Sequence, residues 1–282
     1  MRKVRKVAVA LVALVVLLVV VDFGAATVTE YRVSRAVRHD NGLDSDPEVT
    51  INAFPFLTSV PGGHANSVSV QAHDVPTPVT GRTTVDAHFS GVDFPDRSPL
   101  TDPHTTITAD EATVQWIIGQ TSLGQVLGVP DLELSIPQDD DSDTGTGAEA
   151  GTLEYGPPIS TDRVLLTGRA QTSTDESGPV RETVTVIAFL VLGDNTVSIV
   201  PKAVQPKPVA PGIDPDPVPP IEVVGPQFAA TIGIHGLPYG VSPTSVHADG
   251  TDIVIEGRAE DVRVALTDLV SPRPPAAPEA GR

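Results

Sequence analysis

The start of this chain constrains it most, because a basic cluster there precedes an unbroken apolar run. The basic side chains are Arg2, Lys3, Arg5 and Lys6, and every residue from 7 to 21 is apolar. A basic cluster followed by an apolar run is typical of a segment that inserts into a membrane. Fifteen residues are short for a span of about twenty. Residues 1–26 are therefore predicted to be either an anchor extending past Asp22 or a signal peptide cleaved near Gly24-Ala25-Ala26, and the sequence leaves both open.

The charge of the chain indicates its compartment and excludes one class of partner. Basic residues next to an apolar segment stay in the cytoplasm, so everything after Asp22 is predicted to lie outside the cytoplasm, either anchored or secreted. The chain has 18 basic and 36 acidic residues, a net charge of -18. Such a charge opposes binding to a nucleic-acid backbone. It also repels anionic lipid headgroups, so any contact with lipid has to be apolar.

Most of the chain after residue 49 alternates between apolar and polar side chains, which predicts half-buried β-strands. Valine, threonine and proline recur, and aromatic residues are only 4% of the chain. Gly193-Asp194-Asn195 and Asp249-Gly250 separate pairs of apolar runs, so each predicts a hairpin turn. Residues 24–43 predict a helix leaving the membrane, with Pro47 as its latest end.

One internal segment favours a helix. Thr108 and Glu111 have the spacing of a capping box, and apolar residues then recur every three or four positions until Gly128 and Pro130. The recurring positions are Ala112, Trp116, Gly119, Leu123 and Leu127. The sequence therefore predicts one central helix over residues 108–127, covered by sheet on more than one side.

Three stretches are predicted to lie outside the packed domain of residues 27–270. Residues 138–151 are acidic and lack apolar periodicity, residues 201–220 contain eight prolines, and residues 271–282 form a proline-rich tail. They predict a solvated loop, an extended linker and a frayed end. Asp139, Asp141 and Asp143 suggest calcium, but the glycine and glutamate that an EF-hand loop requires are absent.

The sequence offers little that is typical of a catalytic or metal-binding site. The chain has no cysteine, which excludes thiolate metal sites and cysteine nucleophiles. Its seven histidines show no metal-binding spacing, and there is no G-x-S-x-G, P-loop or dinucleotide-binding motif. We therefore expect no enzyme, no metal and no cofactor. A triad assembled from distant Ser, His and Asp residues stays open.

The most distinctive local motif is Phe54-Pro55-Phe56-Leu57, followed by Pro61-Gly62-Gly63. Two phenylalanines around a proline predict a rigid apolar corner between strands. Such a corner can plug a core or line an apolar groove near the bilayer, and the sequence does not choose between them.

The chain resembles the actinobacterial LmeA-like family, also known as DUF2993. The resemblance rests on the apolar segment ending in Asp22, Glu30 in the next helix, residues 49–58 (VTINAFPFLT), and residues 237–243 (LPYGVSP) ahead of residues 253–259 (IVIEGRA). It implies a phospholipid-binding envelope protein linked to lipoglycan assembly. The implied fold is α+β and similar to TULIP (BPI-like) domains, in which a long helix is wrapped by a strongly curved antiparallel sheet around an apolar cavity. No catalytic residue comes with it.

Together these observations predict an extracytoplasmic protein that holds the acyl chains of a phospholipid, with protein partners unspecified. The predicted lining consists of Phe54, Phe56, Leu57, Trp116, Ile117, Leu123 and Leu127, each of which could equally be core. Two alternatives remain. One is an enzyme of envelope glycolipid metabolism, with Asp110 and Glu111 beside a polar cleft. The other is a structural or adaptor domain with a filled core.

Overall fold

The computed structural model describes residues 2–77, 80–137, 161–175, 178–207, 217–234 and 237–268. The predicted acidic loop 138–151 and tail 271–282 lie outside this part of the chain, as do residues 208–216 of the predicted linker. Of that linker, residues 201–205 are part of a strand and residues 217–220 precede a helix.

The described residues form an α+β fold with a long N-terminal helix and two antiparallel sheets. The helices are α1 (Arg2–Asn41), α2 (Phe56–Ser59), α3 (Gln120–Leu127) and α4 (Ile221–Phe228), with a short 3-10 turn at Pro238–Gly240. The strands are β1 (Glu48–Asn52), β2 (His64–Thr77), β3 (Gly81–Asp93), β4 (Thr106–Gly119), β5 (Glu133–Ser135), β6 (Thr161–Asp175), β7 (Gly178–Leu192), β8 (Thr196–Gln205), β9 (Ala230–Gly233), β10 (Pro243–Asp249) and β11 (Asp252–Ala265).

Each sheet follows from the alternation seen in the sequence. The first has the order β1-β2-β3-β4-β11-β10 and the second the order β5-β6-β7-β8-β9. In β7 the buried positions are Val184, Val186, Ala188, Leu190 and Leu192, which is the period of two expected of a half-buried strand. The buried faces of both sheets belong to one continuous apolar cluster, and β10 contacts both β6 and β7.

Several local predictions are confirmed. Residues 193–195 connect β7 to β8, and Asp249 and Gly250 lie at the turn between β10 and β11. The helix leaving the apolar run ends at Asn41, before Pro47. Gly128 ends α3 with a φ of 69°, the left-handed conformation that glycine adopts without strain.

The predicted central helix over residues 108–127 is wrong for most of its length. Residues 106–119 form strand β4, and only Gln120–Leu127 is helical. The buried residues of the later part of β4 are Ala112, Val114, Trp116 and Ile118. Residues four positions apart lie on the same face of a strand as well as of a helix, so the spacing of Ala112 and Trp116 does not discriminate between the two. The β-branched residues at 113, 114, 117 and 118 favour the strand.

Helix α1 has two halves with different surroundings. Its residues from 7 to 21 are exposed, whereas a face that includes Asp22, Thr29, Val33 and Val37 is buried against the domain. By length and composition the helix is able to cross a membrane, with a mean hydropathy of 3.0 in its most apolar window. The second half packs on β1 and α2.

Candidate functional site

The motif at residues 54–57, which we name the corner, connects β1 to the short helix α2. The peptide bond between Phe54 and Pro55 is cis. The two phenylalanines have opposite environments, since Phe54 is 65% exposed whereas Phe56 is 1% exposed. Leu57 is 39% exposed. Phe56 therefore fills the core, whereas Phe54 and Leu57 present apolar surface at the outside. The two alternatives left open by the sequence, a core plug and an exposed apolar surface, each apply to part of the corner.

Asp22 of α1 fastens the corner to the long helix. Its Oδ2 accepts a hydrogen bond from the Phe56 amide and its Oδ1 accepts one from the Leu57 amide, both at 2.8 Å. The side chain is buried, with 7% exposure. These amides begin α2 and have no partner within that helix. Sequence reasoning noticed Asp22 only as the end of the apolar run; a lone carboxylate in such a run was the available signal.

Three further polar contacts join the same face of α1 to the domain. Glu30 Oε1 accepts a hydrogen bond from the Ile51 amide at 2.8 Å, and Ser34 Oγ donates one to the Pro47 carbonyl at 2.6 Å. Asn41 Nδ2 donates to the Thr267 carbonyl at 2.7 Å, beyond the end of β11. The second half of α1 is thus bonded to segments near the start and the end of the first sheet.

An apolar cleft of about 280 Å³ lies between the corner and α1. Its walls are Val15, Leu18, Val19 and Asp22 of the helix with Phe54, Pro55, Leu57 and Thr58. Because both carboxylate oxygens of Asp22 are bonded to amides, most of the surface offered is hydrocarbon. The cleft is just below the size range of small-molecule sites, which makes it suited to part of one flexible chain.

The seven predicted lining residues do not come together at this cleft. Phe54 and Leu57 line it. Phe56, Trp116 and Leu123 are buried in the core, and Ile117 and Leu127 are half-buried on β4 and α3. Trp116 lies opposite Val85 of β3 and Ile255 of β11.

Two buried polar groups in the interior have no hydrogen-bond partner among the described residues. They are the indole Nε1 of Trp116 and the hydroxyl of Tyr239. Burial raises the pKa of Tyr239 well above its usual range, and the negative charge of Asp268 adds to this. The hydroxyl therefore remains a donor, as does the indole. Tyr239 also packs edge-on against Phe89, with 4.7 Å between ring centroids.

A polar groove of about 370 Å³ crosses the outer face of β1 to β4. Its lining is Glu48, Thr50, Ser69, Gln71, Asp86, His88, Thr113 and Gln115. Partial burial raises the pKa of Asp86, His88 and His73 act in the opposite direction, and Glu48 raises it further. Within the described ranges no three His, Asp or Glu side chains are placed to hold a metal ion.

The two carboxylates predicted for an enzyme, Asp110 and Glu111, are exposed on β4 and are not in this groove. Asp110 lines a separate polar cleft of about 380 Å³, next to His64, Asp93 and Gly91. Among the Asp and Glu residues of the described ranges, the one with a shifted pKa is Asp86, which the sequence did not single out.

Comparison with known proteins identifies a family. A family model described as LmeA-like phospholipid-binding matches residues 20–274. No curated protein and no solved structure matches the chain. The matched residues include Asp22, the corner and both sheets.

Proposed function

Because the chain belongs to the LmeA-like phospholipid-binding family, we propose that it is an extracytoplasmic, membrane-tethered protein that binds phospholipid through the acyl chains. Its setting is the cell envelope, where it supports the assembly of envelope lipid or lipoglycan without catalysing a reaction. The basic residues ahead of the apolar run support the outward orientation of the domain.

The observation that carries this proposal is the apolar cleft between the corner and α1. Phe54 and Leu57 are large apolar side chains held at the surface beside a helix of membrane-spanning length. Exposed apolar surface of this kind marks an interaction site. Sequestering methylenes there provides roughly 0.8 kcal/mol each, so several of them offset the long-range repulsion between the acidic domain and anionic headgroups.

We further propose that the acyl chain continues from this cleft into the domain, as in the TULIP-like arrangement of helix, curved sheet and apolar cavity. The unpaired donors of Trp116 and Tyr239 support this route. A buried donor without an acceptor costs free energy, which indicates that this part of the interior is completed by a bound molecule or by water rather than by protein. Trp116 and Leu123 are then the inner part of the lining, and Phe54 and Leu57 its mouth.

The alternative function is an enzyme of envelope glycolipid metabolism, and the polar groove favours it. A partly buried carboxyl with a raised pKa next to a histidine is an arrangement suited to proton transfer. Under this alternative, Asp86→Asn abolishes turnover of a glycolipid while lipid binding is kept. Under the proposed function, Asp86→Asn leaves phospholipid binding and the assembly of envelope lipid or lipoglycan unchanged.

Photocrosslinking in membranes tests the proposed function. The full-length chain is reconstituted into phosphatidylcholine and phosphatidylglycerol vesicles that contain a phospholipid with a diazirine near the end of one acyl chain. After irradiation, mass spectrometry of the peptides is expected to find crosslinks in the corner and in β4 or α3. Crosslinks confined to residues 7–21 would contradict the proposal, since every membrane helix contacts lipid there.

Matched variants sharpen this experiment. Leu57→Asp places a charge at the mouth of the cleft and is expected to lower crosslinking to β4 and α3 by about tenfold. Val223→Asp changes a comparably exposed side chain, 44% against 39%, on α4 and serves as the control. Equal crosslinking in both variants, with the fold intact, would remove the corner from the path of the acyl chain.

A further inference from the structure

We propose that the membrane-spanning part of α1 covers residues 7–28, and that the corner lies beside it in the hydrocarbon of the outer leaflet. The corner then covers Asp22, so that this carboxylate does not face lipid within the span, and α1 is retained as an anchor. This inference concerns depth and anchoring. It holds whether or not the domain takes up an acyl chain.

The first argument is length. With a rise of 1.5 Å per residue, residues 7–21 extend only about 21 Å, which is short of the roughly 30 Å of hydrocarbon in a bilayer. Residues 7–28 extend about 32 Å, which matches it. The helix has no break between these limits. A span that starts after Lys6 and runs along the bilayer normal therefore carries Asp22 and its neighbours inside the membrane.

The second argument is the surface of α1 between residues 22 and 28. Phe23 and Val28, which face away from the domain, are 63% and 53% exposed. Thr27, which is exposed on this surface, donates its hydroxyl to the Phe23 carbonyl at 3.0 Å. The hydroxyl thus has a partner inside the helix, as lipid surroundings require.

The third argument is the protection of Asp22, the acidic residue nearest the apolar run. A carboxylate in hydrocarbon is costly unless it is covered and paired. Asp22 is 7% exposed, and each of its oxygens accepts an amide hydrogen bond from α2. The side chains that flank this pairing, Phe54 and Leu57, are themselves apolar and exposed. The corner therefore replaces water around the carboxylate and offers lipid a hydrocarbon surface.

The fourth argument is the boundary that follows residue 28. Tyr31 is 54% exposed, and the Arg35 guanidinium lies 5.7 Å from the centre of its ring. Arg32 is also exposed. Tyrosine and arginine at the end of a span are typical of the headgroup region, where the ring and the cation both find suitable contacts. Tyr31 lies about 36 Å from residue 7 along the helix, just beyond the hydrocarbon.

Retention of the anchor follows from the same contacts. Cleavage near residues 24–26 would remove Asp22 and leave the Phe56 and Leu57 amides without acceptors. It would also divide a helix whose later residues, Glu30 and Ser34, are bonded to the first sheet. The mature protein is therefore expected to keep residues 1–26.

Depth-dependent fluorescence quenching tests the placement of the corner. Phe54→Trp is made in the full-length chain together with Trp116→Phe, so that the new indole is the sole fluorophore of its kind. In phosphatidylcholine vesicles with bromine at defined acyl carbons, emission is expected to fall at least twofold, most strongly with bromines in the upper half of the chain. Val223→Trp in the same background is expected to stay unquenched. Equal emission with and without bromine at position 54 would overturn the placement.

A second measurement does not depend on these variants. The chain has no cysteine, so single cysteines can be introduced by Val28→Cys and, as a control, Val223→Cys. In intact vesicles a membrane-impermeant maleimide is expected to label the control at least tenfold more than position 28, with equal labelling in detergent. Equal labelling in vesicles would overturn the longer span. The mass of the wild-type chain from its native membrane is expected to include residues 1–26, and a chain beginning after residue 22 would overturn retention.

The outcomes separate this inference from the proposed function. Quenching at position 54 without crosslinks in β4 or α3 supports an embedded corner and contradicts lipid uptake. Crosslinks in β4 or α3 without quenching support lipid uptake and overturn the embedded corner.

Discussion

At the scale of single residues, Asp22 connects the long helix to the domain. One carboxylate accepts two amide hydrogen bonds from residues that are 34 and 35 positions later in the chain. No other type of side chain of this size offers two acceptor oxygens. Asparagine would satisfy one amide and direct its own N–H groups toward the other.

The first prediction concerns this contact. Asp22→Ala removes both acceptors and leaves the buried Phe56 amide and the part-buried Leu57 amide unpaired. The loss at Phe56 alone is expected to cost about 1–3 kcal/mol. Hydrogen exchange of the Phe56 and Leu57 amides, measured by NMR on the full chain in nanodiscs, is expected to accelerate at least tenfold. Asp44→Ala is the control, since its ion pair with Arg82 is exposed and contributes at most about 1 kcal/mol. Unchanged exchange at Phe56 in the first variant would contradict the role of Asp22.

A second prediction concerns Asp86 and pH. Burial raises the pKa of this carboxyl above its usual value of 3.8, so the folded state binds its proton at a higher pH than the unfolded state. Its contribution to stability therefore improves as pH falls through the raised pKa and worsens as pH rises. Asp86→Asn removes that dependence and is expected to be more stable than wild type at pH 7, with the difference shrinking as pH falls toward 3.8.

Denaturant unfolding of both chains at a series of pH values measures the difference for Asp86. Asp194→Asn, in the turn between β7 and β8, is the control for the loss of one carboxylate. A difference between Asp86→Asn and wild type that grows at low pH would contradict the assignment.

At the scale of elements, the segment ahead of β10 closes over β11. Leu237 and Val241 are each 1% exposed, and both contact the position where Gly257 lies. A Cβ on Gly257 would be 2.5 Å from the Ser242 carbonyl oxygen and 2.6 Å from Leu237 Cδ1. The backbone of β11 can approach this segment so closely only because residue 257 has no side chain.

A third prediction follows for Gly257. Gly257→Ala must displace backbone as well as side chains, and overpacking of this kind is expected to cost about 1–3 kcal/mol. The midpoint of denaturant unfolding reports that loss. Gly119→Ala is the matched control at the end of the neighbouring strand, because its nearest atom is the end of a side chain at 3.6 Å. Equal midpoints for the two variants would contradict the close approach.

The elements also show which parts of the fold could be read from the sequence. The alternating residues of β7 are sufficient to predict the strand, and residues 193–195 are sufficient to predict the turn, because each pattern is local. Residues 106–119 were misread because four-residue spacing is shared by helix and strand, and their strand state depends on pairing with β3 and β11. Those partners are distant in sequence, so no local pattern specified them.

For the candidate site, the sequence indicated the corner but not what fastens it. Phe54 and Leu57, two of the predicted lining residues, lie at the cleft, and their role in lipid binding stays a prediction. Asp22 was missed because its partners are backbone amides, which no residue pattern reveals. The raised pKa of Asp86 was missed as well, since it results from burial beside cross-strand neighbours.

At the scale of the whole molecule, the two sheets share one apolar core. The cluster of buried residues runs from Val33 of α1 through both sheets to Leu266. Elements that share a core lose the same contacts when either sheet opens, which favours a single cooperative transition. The sheets are therefore expected to unfold together.

A fourth prediction tests this cooperativity. Trp116 reports on the first sheet, and Phe189→Trp in a Trp116→Phe background reports on the second through a half-buried position of β7. After correction for any stability change seen by circular dichroism, both fluorescence transitions in urea are expected to coincide. Two separated midpoints would show that the sheets behave as independent units.

The four hydrogen-bonding residues spaced along α1 have one mechanical consequence. Asp22 bonds α1 to α2, Glu30 and Ser34 bond it to β1 and to the residue ahead of β1, and Asn41 bonds it to the segment after β11. There is therefore no hinge between the helix and the domain over that length. If α1 spans the membrane as proposed, the domain keeps one orientation relative to the bilayer and does not move to a second membrane. Under the proposed function, a bound phospholipid then has to be passed to a molecule that approaches this domain.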